Sequence, residues 1–271
     1  MAFTDVAHAR LERYNAEMAK GMADKLFFLD RLPQGAALLD FGCADGHLLS
    51  HVARLRPDVV LAGLDISPIE LQRAAARGLD ATWLPSISEA MPWIGRQRLS
   101  QRPVALLASS VLHEVQHYGG DRAWHAFWSL AMACDGLALR DFSITRSDWE
   151  TANPGFVGAV RAGLPLWQRA SFEAIWGTIA CQGQAVHAAL KAPWTDSWER
   201  EGPEHYFPVH AEDVHEMFDA LWGTPVLWRP HRLAFTDADT QRRFGVGLPC
   251  PTHLQALGGP VWLPEGTPSG S

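Results

Sequence analysis

The sequence predicts an α/β protein with a seven-stranded, mostly parallel, doubly wound sheet, helices on both faces, and a helical insertion after strand five. Two observations carry this prediction. Short apolar segments alternate with helical segments as far as Phe142, and strands joined by helices are typical of a parallel sheet. Residues 147–200 are instead rich in Trp and Gly and mostly helical or irregular, so we expect them to form an insertion or lid.

Apolar periodicity and turn residues place the individual elements. A first helix is expected over residues 5–31, where apolar side chains recur near one face. Ser67 is the expected N-cap of a helix that Pro68 opens and Gly78 ends. The other helices are predicted over residues 47–57, 121–134 and 209–223. The strands are predicted over residues 36–40, 58–67, 80–85, 103–112, 135–143, 225–235 and 242–264.

Composition restricts the class of protein. The chain has 271 residues, 47% of them hydrophobic, which is enough for one large domain or one domain with an insertion. A net charge of −7 argues against a general nucleic-acid surface. The four cysteines form no Cys-x-x-Cys pair, so neither a zinc knuckle nor a disulfide framework is indicated. No signal-peptide pattern or membrane-spanning apolar run is present, so we expect a cytoplasmic protein that does not contact a membrane.

The stretch LLDFGCADGHLL is the most informative part of the sequence. Asp40 ends a predicted strand, and Gly42, Ala44 and Gly46 follow at alternate positions before a predicted helix. Glycine allows the backbone to turn tightly and to approach a ligand, and the start of the helix presents free N–H groups. Asp65 lies nineteen residues after Gly46, at the end of the second predicted strand. A carboxylate there can accept two hydrogen bonds from a ribose diol.

This pattern resembles motif I of the class I S-adenosylmethionine-dependent methyltransferases, Asp/Glu-x-Gly-x-Gly-x-Gly, with Ala44 in place of the middle glycine. The resemblance covers roughly residues 30–142 and implies a Rossmann-like core that binds S-adenosyl-L-methionine and releases S-adenosyl-L-homocysteine. It implies that Asp40 lies near the cofactor's amino group and Asp65 at its ribose. The cofactor-binding residues it implies are Asp40, Gly42, Cys43, Ala44, Gly46, Asp65, Ile66, Ser86, Ile87 and Ser109. Asp45 is a candidate cap of the helix that follows.

A second motif, His-Glu-x-x-His, runs from His113 to His117 and is typical of zinc proteases when it lies on a helix. The third ligand of that motif is missing, because the extended form would require histidine where Ala123 stands. The motif also follows a predicted buried strand, and Gly119 and Gly120 interrupt the helix. The segment after strand four faces cofactor and substrate in the resembled family, so we predict that His113 and Glu114 are catalytic.

His113 is the candidate general base, with Glu114 or His117 orienting it. Two alternatives stay open at this point. His113 could simply pack beneath the cofactor, or His113, His117 and Asp141 could bind a divalent metal beside a substrate hydroxyl. Our prediction for the site contains no metal.

Candidate substrate-binding residues lie after strands four and five and near the C-terminal third of the chain. They are His117, Asp141, His205 and Tyr206. Asp141 could instead cap a helix or form a structural salt bridge, and the His205–Tyr206 pair could belong to a loop that leads into a helix. The tryptophans of the insertion, among them Trp149 and Trp198, could form either an aromatic substrate wall or the core of that insertion.

The predicted domain organisation follows these assignments. Residues 1–142 form the S-adenosylmethionine-binding core with its N-terminal helix, and residues 143–203 form the helical insertion or substrate lid. Residues 204–262 supply the helix and strands that complete the sheet, and residues 263–271 are expected to be a disordered tail.

The predicted function is O-, N- or C-methylation of a small molecule or short peptide. A methyltransferase acting on tRNA or protein is the alternative within this enzyme class. A dinucleotide-dependent oxidoreductase and a non-catalytic binding protein are the alternatives from other classes. The Gly-x-Ala-x-Gly spacing counts against the oxidoreductase, because dinucleotide enzymes use Gly-x-Gly-x-x-Gly.

Overall fold

The computed structural model of the chain describes residues 21–263, which divide into two compact units. The unit that we call the sheet unit comprises residues 23–141, 213–229 and 254–263. The unit that we call the helical unit comprises residues 142–212 and 230–253, together with residues 21–22. None of the helices between residues 21 and 263 is long and apolar enough to cross a membrane.

Seven strands form one sheet in the order β3-β2-β1-β4-β5-β7-β6. The strands are β1 (Ala37–Phe41), β2 (Val60–Leu64), β3 (Ala81–Leu84), β4 (Val104–Ser109), β5 (Gly136–Phe142), β6 (Leu227–His231) and β7 (His253–Gly258). Strand β1 pairs in parallel with β2 and β4, β2 with β3, and β4 with β5. The predicted fold class is therefore confirmed. The strand order reverses at β1, where a ligand cleft is expected in such sheets.

Twelve helices are present in the described residues. They are α1 (Met22–Lys25), α2 (His47–Leu55), α3 (Pro68–Ala76), α4 (Ile87–Leu99), α5 (Leu112–Ala133), α6 (Arg146–Glu150), α7 (Pro154–Gly163), α8 (Leu166–Trp176), α9 (Gln182–Lys191), α10 (Trp198–Glu201), α11 (Ala211–Trp222) and α12 (Ala234–Phe244). Short 3-10 helices occupy Leu29–Arg31, Thr195–Ser197 and Pro260–Trp262.

The central strands explain why the sequence shows continuous apolar runs rather than alternation. Leu38 and Leu39 of β1, and Leu106 and Leu107 of β4, are fully buried. Neighbouring residues of a strand point to opposite faces, so both faces of the sheet are covered at its centre. The carboxyl ends of β1 to β5 then meet at one edge, which we call the carboxyl edge.

Local capping agrees with the predicted helix boundaries around β2 and β3. Ser67 caps α3, and its side chain accepts a hydrogen bond from the N–H of Glu70 at 3.4 Å. Pro68 occupies the first turn, and Gly78, with φ of 69°, follows the end of the helix. These three predictions are confirmed, and they fix the direction in which α3 leaves the carboxyl edge.

Three predicted elements differ from the structure. Residues 5–20 of the predicted first helix lie outside the described residues, and the rest is divided into α1 and the 3-10 helix Leu29–Arg31. The helix predicted from residue 121 begins at Leu112 and changes direction at Gly120, where φ is 57° and ψ is −159°. The last two predicted strands were extended into residues that form α12. This helix is polar, and Asp239 pairs with both Arg242 and Arg243 one turn later.

The helical unit contains the segment predicted as an insertion, residues 143–203, with α6 to α10. Its hydrophobic core includes Phe156, Phe172 and Val186, and Trp149 and Trp198 pack against this core. This packing supports the structural interpretation of these tryptophans. The predicted domain boundaries remain a prediction, and residues 264–271 of the predicted disordered tail lie outside the described residues.

Candidate active site

The glycine loop after β1 crosses the carboxyl edge in a left-handed conformation. Gly42 and Gly46 have φ of 73°, and Ala44 between them has φ of 46°. A left-handed alanine costs roughly 1–2 kcal/mol, which gives a physical reason for the glycine that the family motif has at this position. The N–H groups of Gly42 and Cys43 both donate to the carbonyl of Leu64, at 2.8 and 3.0 Å.

Neighbouring side chains leave no room for larger residues in this loop. A Cβ atom on Gly42 would lie 2.5 Å from Val111 Cγ2, and one on Gly46 would lie 2.8 Å from Trp83 Cη2. Gly63 of β2 is equally restricted, because a Cβ atom there would lie 2.7 Å from Cys43 Sγ. Val111 and Trp83 therefore pack tightly against the loop. At Gly42 and Gly46, glycine is required both because there is no space for a side chain and because φ is positive.

Asp65 connects the loop to the start of α3. Its Oδ2 atom accepts a hydrogen bond from the N–H of Ala44 at 2.9 Å, and its Oδ1 atom accepts one from the N–H of Ser67 at 2.8 Å. The next residue, Ile66, is 87% exposed at the same edge. An acidic group and an exposed apolar side chain thus stand side by side, beside the glycine loop.

Asp45 contributes to the start of α2, although Gly46 occupies the N-cap position. The Asp45 carboxylate accepts a hydrogen bond from the N–H of His47 at 3.1 Å and forms an ion pair with Arg77. Arg77 Nε also donates to the carbonyl of Asp45 at 2.6 Å. The end of α3 therefore holds the glycine loop in place.

Ser86, Ile87 and Ser109 mark the ends of the neighbouring strands. Ser86 caps α4, accepting a hydrogen bond from the N–H of Glu89 at 3.4 Å, and Ile87 is the first residue of that helix. Ser109 is the last residue of β4, and within the described residues its buried hydroxyl has no hydrogen-bond partner. A buried hydroxyl without a partner at a strand end is a candidate ligand contact.

The carboxyl group of Asp40 is buried at the end of β1, with 2% of the residue exposed. Burial raises the pKa of Asp40 to about 7, the amine of Lys25 opposes this, and Asp65 raises it further. Burial, together with Asp40 and Asp65, also raises the pKa of the Cys43 thiol. Cys43 therefore stays protonated at neutral pH and is unsuited to act as a nucleophile.

His113 and Asp141 form a buried pair at the ends of β4 and β5. His113 Nδ1 lies 2.5 Å from Asp141 Oδ1. Asp141 Oδ2 accepts hydrogen bonds from the N–H groups of Val111 and Leu112, at 2.9 and 2.5 Å. These bonds support the helix-cap interpretation of Asp141. The carboxylate that contacts the His113 ring through this bond is Asp141, which the sequence did not identify as its orienting group.

Glu114 and His117 follow His113 on α5, one residue and one turn later. The His117 ring lies edge-on to Tyr118, with ring centroids 4.5 Å apart. The helix turns at Gly120, so the segment after β4 is a short helix at the carboxyl edge, as its position after a buried strand suggested.

His205 and Tyr206 belong to the helical unit, where they precede α11. Tyr206 is 3% exposed, and its hydroxyl donates to the carboxylate of Glu201. The His205 ring stacks on His187 with centroids 5.0 Å apart. Their predicted substrate contact stays a prediction, while the other predicted site residues all lie in the sheet unit.

Sequence reasoning missed two residues of this site, Lys25 and Trp83. Lys25 belongs to α1, and its amine affects the pKa of Asp40 from 15 positions earlier in the sequence. Trp83 of β3 packs against Gly46 and Gly63. No local motif includes either residue. The one available signal for Trp83 was its position on a strand next to a glycine-bearing strand.

Comparison with known proteins agrees with the motif. Residues 12–128 match the model of a family described as a methyltransferase domain. The match includes Asp40, Asp65 and His113, and it confirms the family resemblance that the glycine loop indicated.

Individual relatives are similar over shorter stretches or at low identity. The trans-aconitate 2-methyltransferase of Mycobacterium tuberculosis (strain ATCC 25177 / H37Ra) is 43% identical over 51 residues, which is 19% of this chain. That segment spans only 20% of the relative's length.

Two solved structures are similar over most of the chain. The plantazolicin methyltransferase BamL, in complex with a triazolic desmethylPZN analogue and SAH, is 11% identical, with a TM-score of 0.47, over 94% of this chain and 89% of that one. An S-adenosylmethionine-dependent methyltransferase from Anabaena variabilis ATCC 29413 is 12% identical, also with a TM-score of 0.47, over 95% and 94%.

Proposed function

We propose that this protein is an S-adenosylmethionine-dependent methyltransferase that methylates a small molecule or short peptide and releases S-adenosylhomocysteine. One observation carries the proposal. The left-handed glycine loop after β1 is tied to Asp65 at the end of β2, within a region that matches a methyltransferase domain. This is the arrangement in which a glycine loop, which a ligand can approach closely, and a neighbouring carboxylate can hold an adenosine-containing ligand.

In this proposal the cofactor lies along the carboxyl edge. The backbone from Gly42 to Gly46 faces its amino-acid part, and the carboxylate of Asp65 accepts hydrogen bonds from its ribose hydroxyls. Ile66 is exposed next to Asp65 and is available to pack against the adenine. The Ser86–Ile87 turn lies beyond the adenine, and the buried hydroxyl of Ser109, which has no partner among the described residues, is directed to the bound cofactor.

The chemistry requires positioning and, for an acidic acceptor group, removal of one proton. The cofactor supplies a methyl group on a positively charged sulfur. His113 accepts the proton of the acceptor O–H or N–H at its Nε2 atom, because its Nδ1 atom is held by Asp141. Asp141 is 3% exposed and already takes part in three hydrogen bonds, which favours a positioning role for Asp141 over a direct substrate contact. Glu114 and His117 are proposed to line the acceptor side.

A small acceptor is supported by composition and by one relative. The net charge of −7 does not favour a polyanionic acceptor such as RNA. The relative that shares 43% identity over 51 residues is named for a small carboxylic acid acceptor, trans-aconitate. The proposal extends only to the class of small molecules and short peptides.

Calorimetric titration with S-adenosylmethionine and S-adenosylhomocysteine tests the proposal. The variant is Asp65→Ala. The matched control is Asp80→Ala, which removes an exposed carboxylate at the opposite end of the neighbouring strand. We expect both ligands to bind the wild type and the control, and the Asp65→Ala variant to bind at least tenfold more weakly, since two charge-assisted hydrogen bonds are lost. If a folded wild type binds neither ligand, the proposal is wrong. Binding of a nicotinamide dinucleotide instead would support an oxidoreductase.

A further inference from the structure

Asp24 connects α1 to strands β5 and β7. Asp24 Oδ2 accepts a hydrogen bond from Arg140 Nε at 2.7 Å. Gln255 Nε2 donates to Asp24 Oδ1 at 2.6 Å and to the Asp24 carbonyl at 2.8 Å. Arg140 and Gln255 are 4% and 0% exposed, so these contacts are protected from water. These contacts therefore hold α1 against β5 and β7.

This anchor places Lys25, the next residue, among charged groups at the ends of β1 and β5. Asp40 and Asp141 both raise the pKa of Lys25, and so does Asp24. Burial and the guanidinium of Arg140 outweigh them and lower the pKa of Lys25 to about 8. Within residues 21–263 the Lys25 amine makes no hydrogen bond, in contrast to the fixed guanidinium of Arg140, which also donates to Ser110 Oγ at 2.6 Å.

The two neighbouring carboxylates, Asp141 and Asp40, differ in the hydrogen bonds that they already make. Asp141 already receives two backbone N–H groups and the His113 ring. Asp40 is buried, and the effect of burial on its pKa, which rises to about 7, is larger than the opposing effect of Lys25. Asp40, which precedes the glycine loop, and Lys25, which the contacts of Asp24 hold at the ends of the strands, are therefore an acid and an amine whose charges act on each other.

An acid beside an amine is complementary to the two ends of an α-amino acid. The ammonium group of such a ligand would complete the charge of Asp40, and its carboxylate would complete that of Lys25. The cofactor of the proposed reaction carries this zwitterion at the end that the glycine loop faces. A carboxylate without an adjacent ammonium group would be repelled by Asp40, whereas the ammonium group of an α-amino acid neutralises Asp40 while its carboxylate binds Lys25.

We infer that Lys25 binds the α-carboxylate of the cofactor and, together with Asp40, recognises its amino-acid end. The inference rests on the proposed function. It adds a binding residue from outside the glycine loop, contributed by a segment that Asp24 fastens to the sheet.

Two ligands that differ only in the carboxylate test this role. S-adenosylhomocysteine carries it, and S-adenosyl-3-thiopropylamine retains the amine but lacks it. Calorimetry on wild type, Lys25→Met and Lys25→Arg gives the dissociation constants. Arg31→Met is the matched control, because it removes an exposed positive charge from the same N-terminal segment. Thermal melting establishes that each variant is folded.

We expect Lys25→Met to raise the dissociation constant of S-adenosylhomocysteine by about tenfold to a hundredfold, which corresponds to the loss of one charge-assisted hydrogen bond. Its affinity for the decarboxylated ligand should stay within about twofold of wild type, which a general loss of structure would not produce. Lys25→Arg should recover most of the loss, and Arg31→Met should behave as wild type. Equal weakening of both ligands, or no weakening of either, overturns the role of Lys25. If the wild type itself binds neither ligand, the proposed function fails first.

Discussion

The carboxylate of Asp141 holds both the ring of His113 and the start of the helix that carries it. One oxygen lies 2.5 Å from His113 Nδ1, and the other accepts the N–H groups of Val111 and Leu112. Strand β5 therefore fixes the direction of a side chain that follows β4. Because the pair is buried, the imidazole cannot turn its Nδ1 atom elsewhere without breaking a buried hydrogen bond to Asp141 Oδ1.

The first prediction concerns this double role. Asp141→Ala removes a helix cap and a buried hydrogen bond, so we expect the free energy of unfolding to fall by about 2–4 kcal/mol. Asp141→Asn keeps an acceptor for the helix N–H groups and should cost about half as much. Urea denaturation followed by circular dichroism measures both. Equal losses in the two variants would show that the cap contributes nothing.

The second prediction separates crowding from backbone strain at Gly42. Gly78 has a similar φ, 69°, but no atom lies within 4 Å of the place where its Cβ would stand, whereas a Cβ on Gly42 would meet Val111 at 2.5 Å. We expect Gly78→Ala to cost about 1–2 kcal/mol, the penalty of a left-handed alanine. Gly42→Ala should cost at least about 3 kcal/mol, because the clash adds to that penalty. Chemical denaturation gives both values.

A double variant supplies the control for this comparison. Val111→Ala removes the methyl groups that a Cβ atom at Gly42 would meet. In that background the Gly42→Ala penalty should fall towards the value for Gly78→Ala. A penalty unchanged by Val111→Ala would mean that φ alone makes glycine necessary here.

The third prediction is a pH dependence of cofactor affinity that Asp40 controls. Burial raises the pKa of Asp40 to about 7 in the ligand-free protein, and the cofactor's ammonium group should bind the ionised form. The dissociation constant of S-adenosylhomocysteine should therefore increase by up to about tenfold for each pH unit below 7, as Asp40 takes up its proton. Calorimetry between pH 5 and 7.5 measures this slope.

Asp40→Asn should bind S-adenosylhomocysteine weakly and without that slope, while Asp80→Asn should retain it. Stability offers a second readout with a defined sign. The folded protein holds a proton on Asp40 between about pH 4 and 7 that the unfolded chain has lost, so this residue lowers stability as pH rises through that window. Asp40→Asn should not show this fall in stability between about pH 4 and 7. Identical pH profiles in the wild type and Asp40→Asn would refute the assignment.

Local patterns were sufficient to predict the parts of the fold and site that depend on neighbours in sequence. The buried runs of β1 and β4 and the caps of α3 were all visible in short stretches. The glycine loop and Asp65 were predictable as well, because their spacing reflects one strand–helix–strand unit. A polar helix such as α12 was missed because it follows a strand directly and has no strong apolar face.

Contacts between distant segments could not be predicted in the same way. Asp141 lies 28 residues beyond His113, and only the adjacency of β4 and β5 brings them together. Lys25 reaches the carboxyl edge because Asp24 is bonded to Arg140 and Gln255, which are 116 and 231 residues away. Such residues become visible only when the order of strands in the sheet is known.

The last prediction concerns a buried amine in the helical unit. Lys191 is 0% exposed, donates a hydrogen bond to the carbonyl of Glu201, and lies 3.7 Å from the centroid of the Tyr206 ring. Burial lowers the pKa of Lys191 to about 7, although Glu201 and Glu204 oppose this. Between pH 7 and about 10 the unfolded chain therefore binds a proton that the folded protein does not, so stability should rise with pH.

Urea denaturation at pH 7 and pH 9.5 measures this rise, which should be on the order of 3 kcal/mol for Lys191. Lys191→Met should remove that part of the rise. Lys25→Met is the control. The pKa of Lys25 is lowered less, to about 8, so this variant should remove a smaller part of the rise in stability with pH. If Lys191→Met does not fold, the wild type and Lys25→Met still test the prediction, since a large rise must persist without Lys25. A pH-independent stability in Lys25→Met would show that the buried Lys191 does not change its protonation on folding.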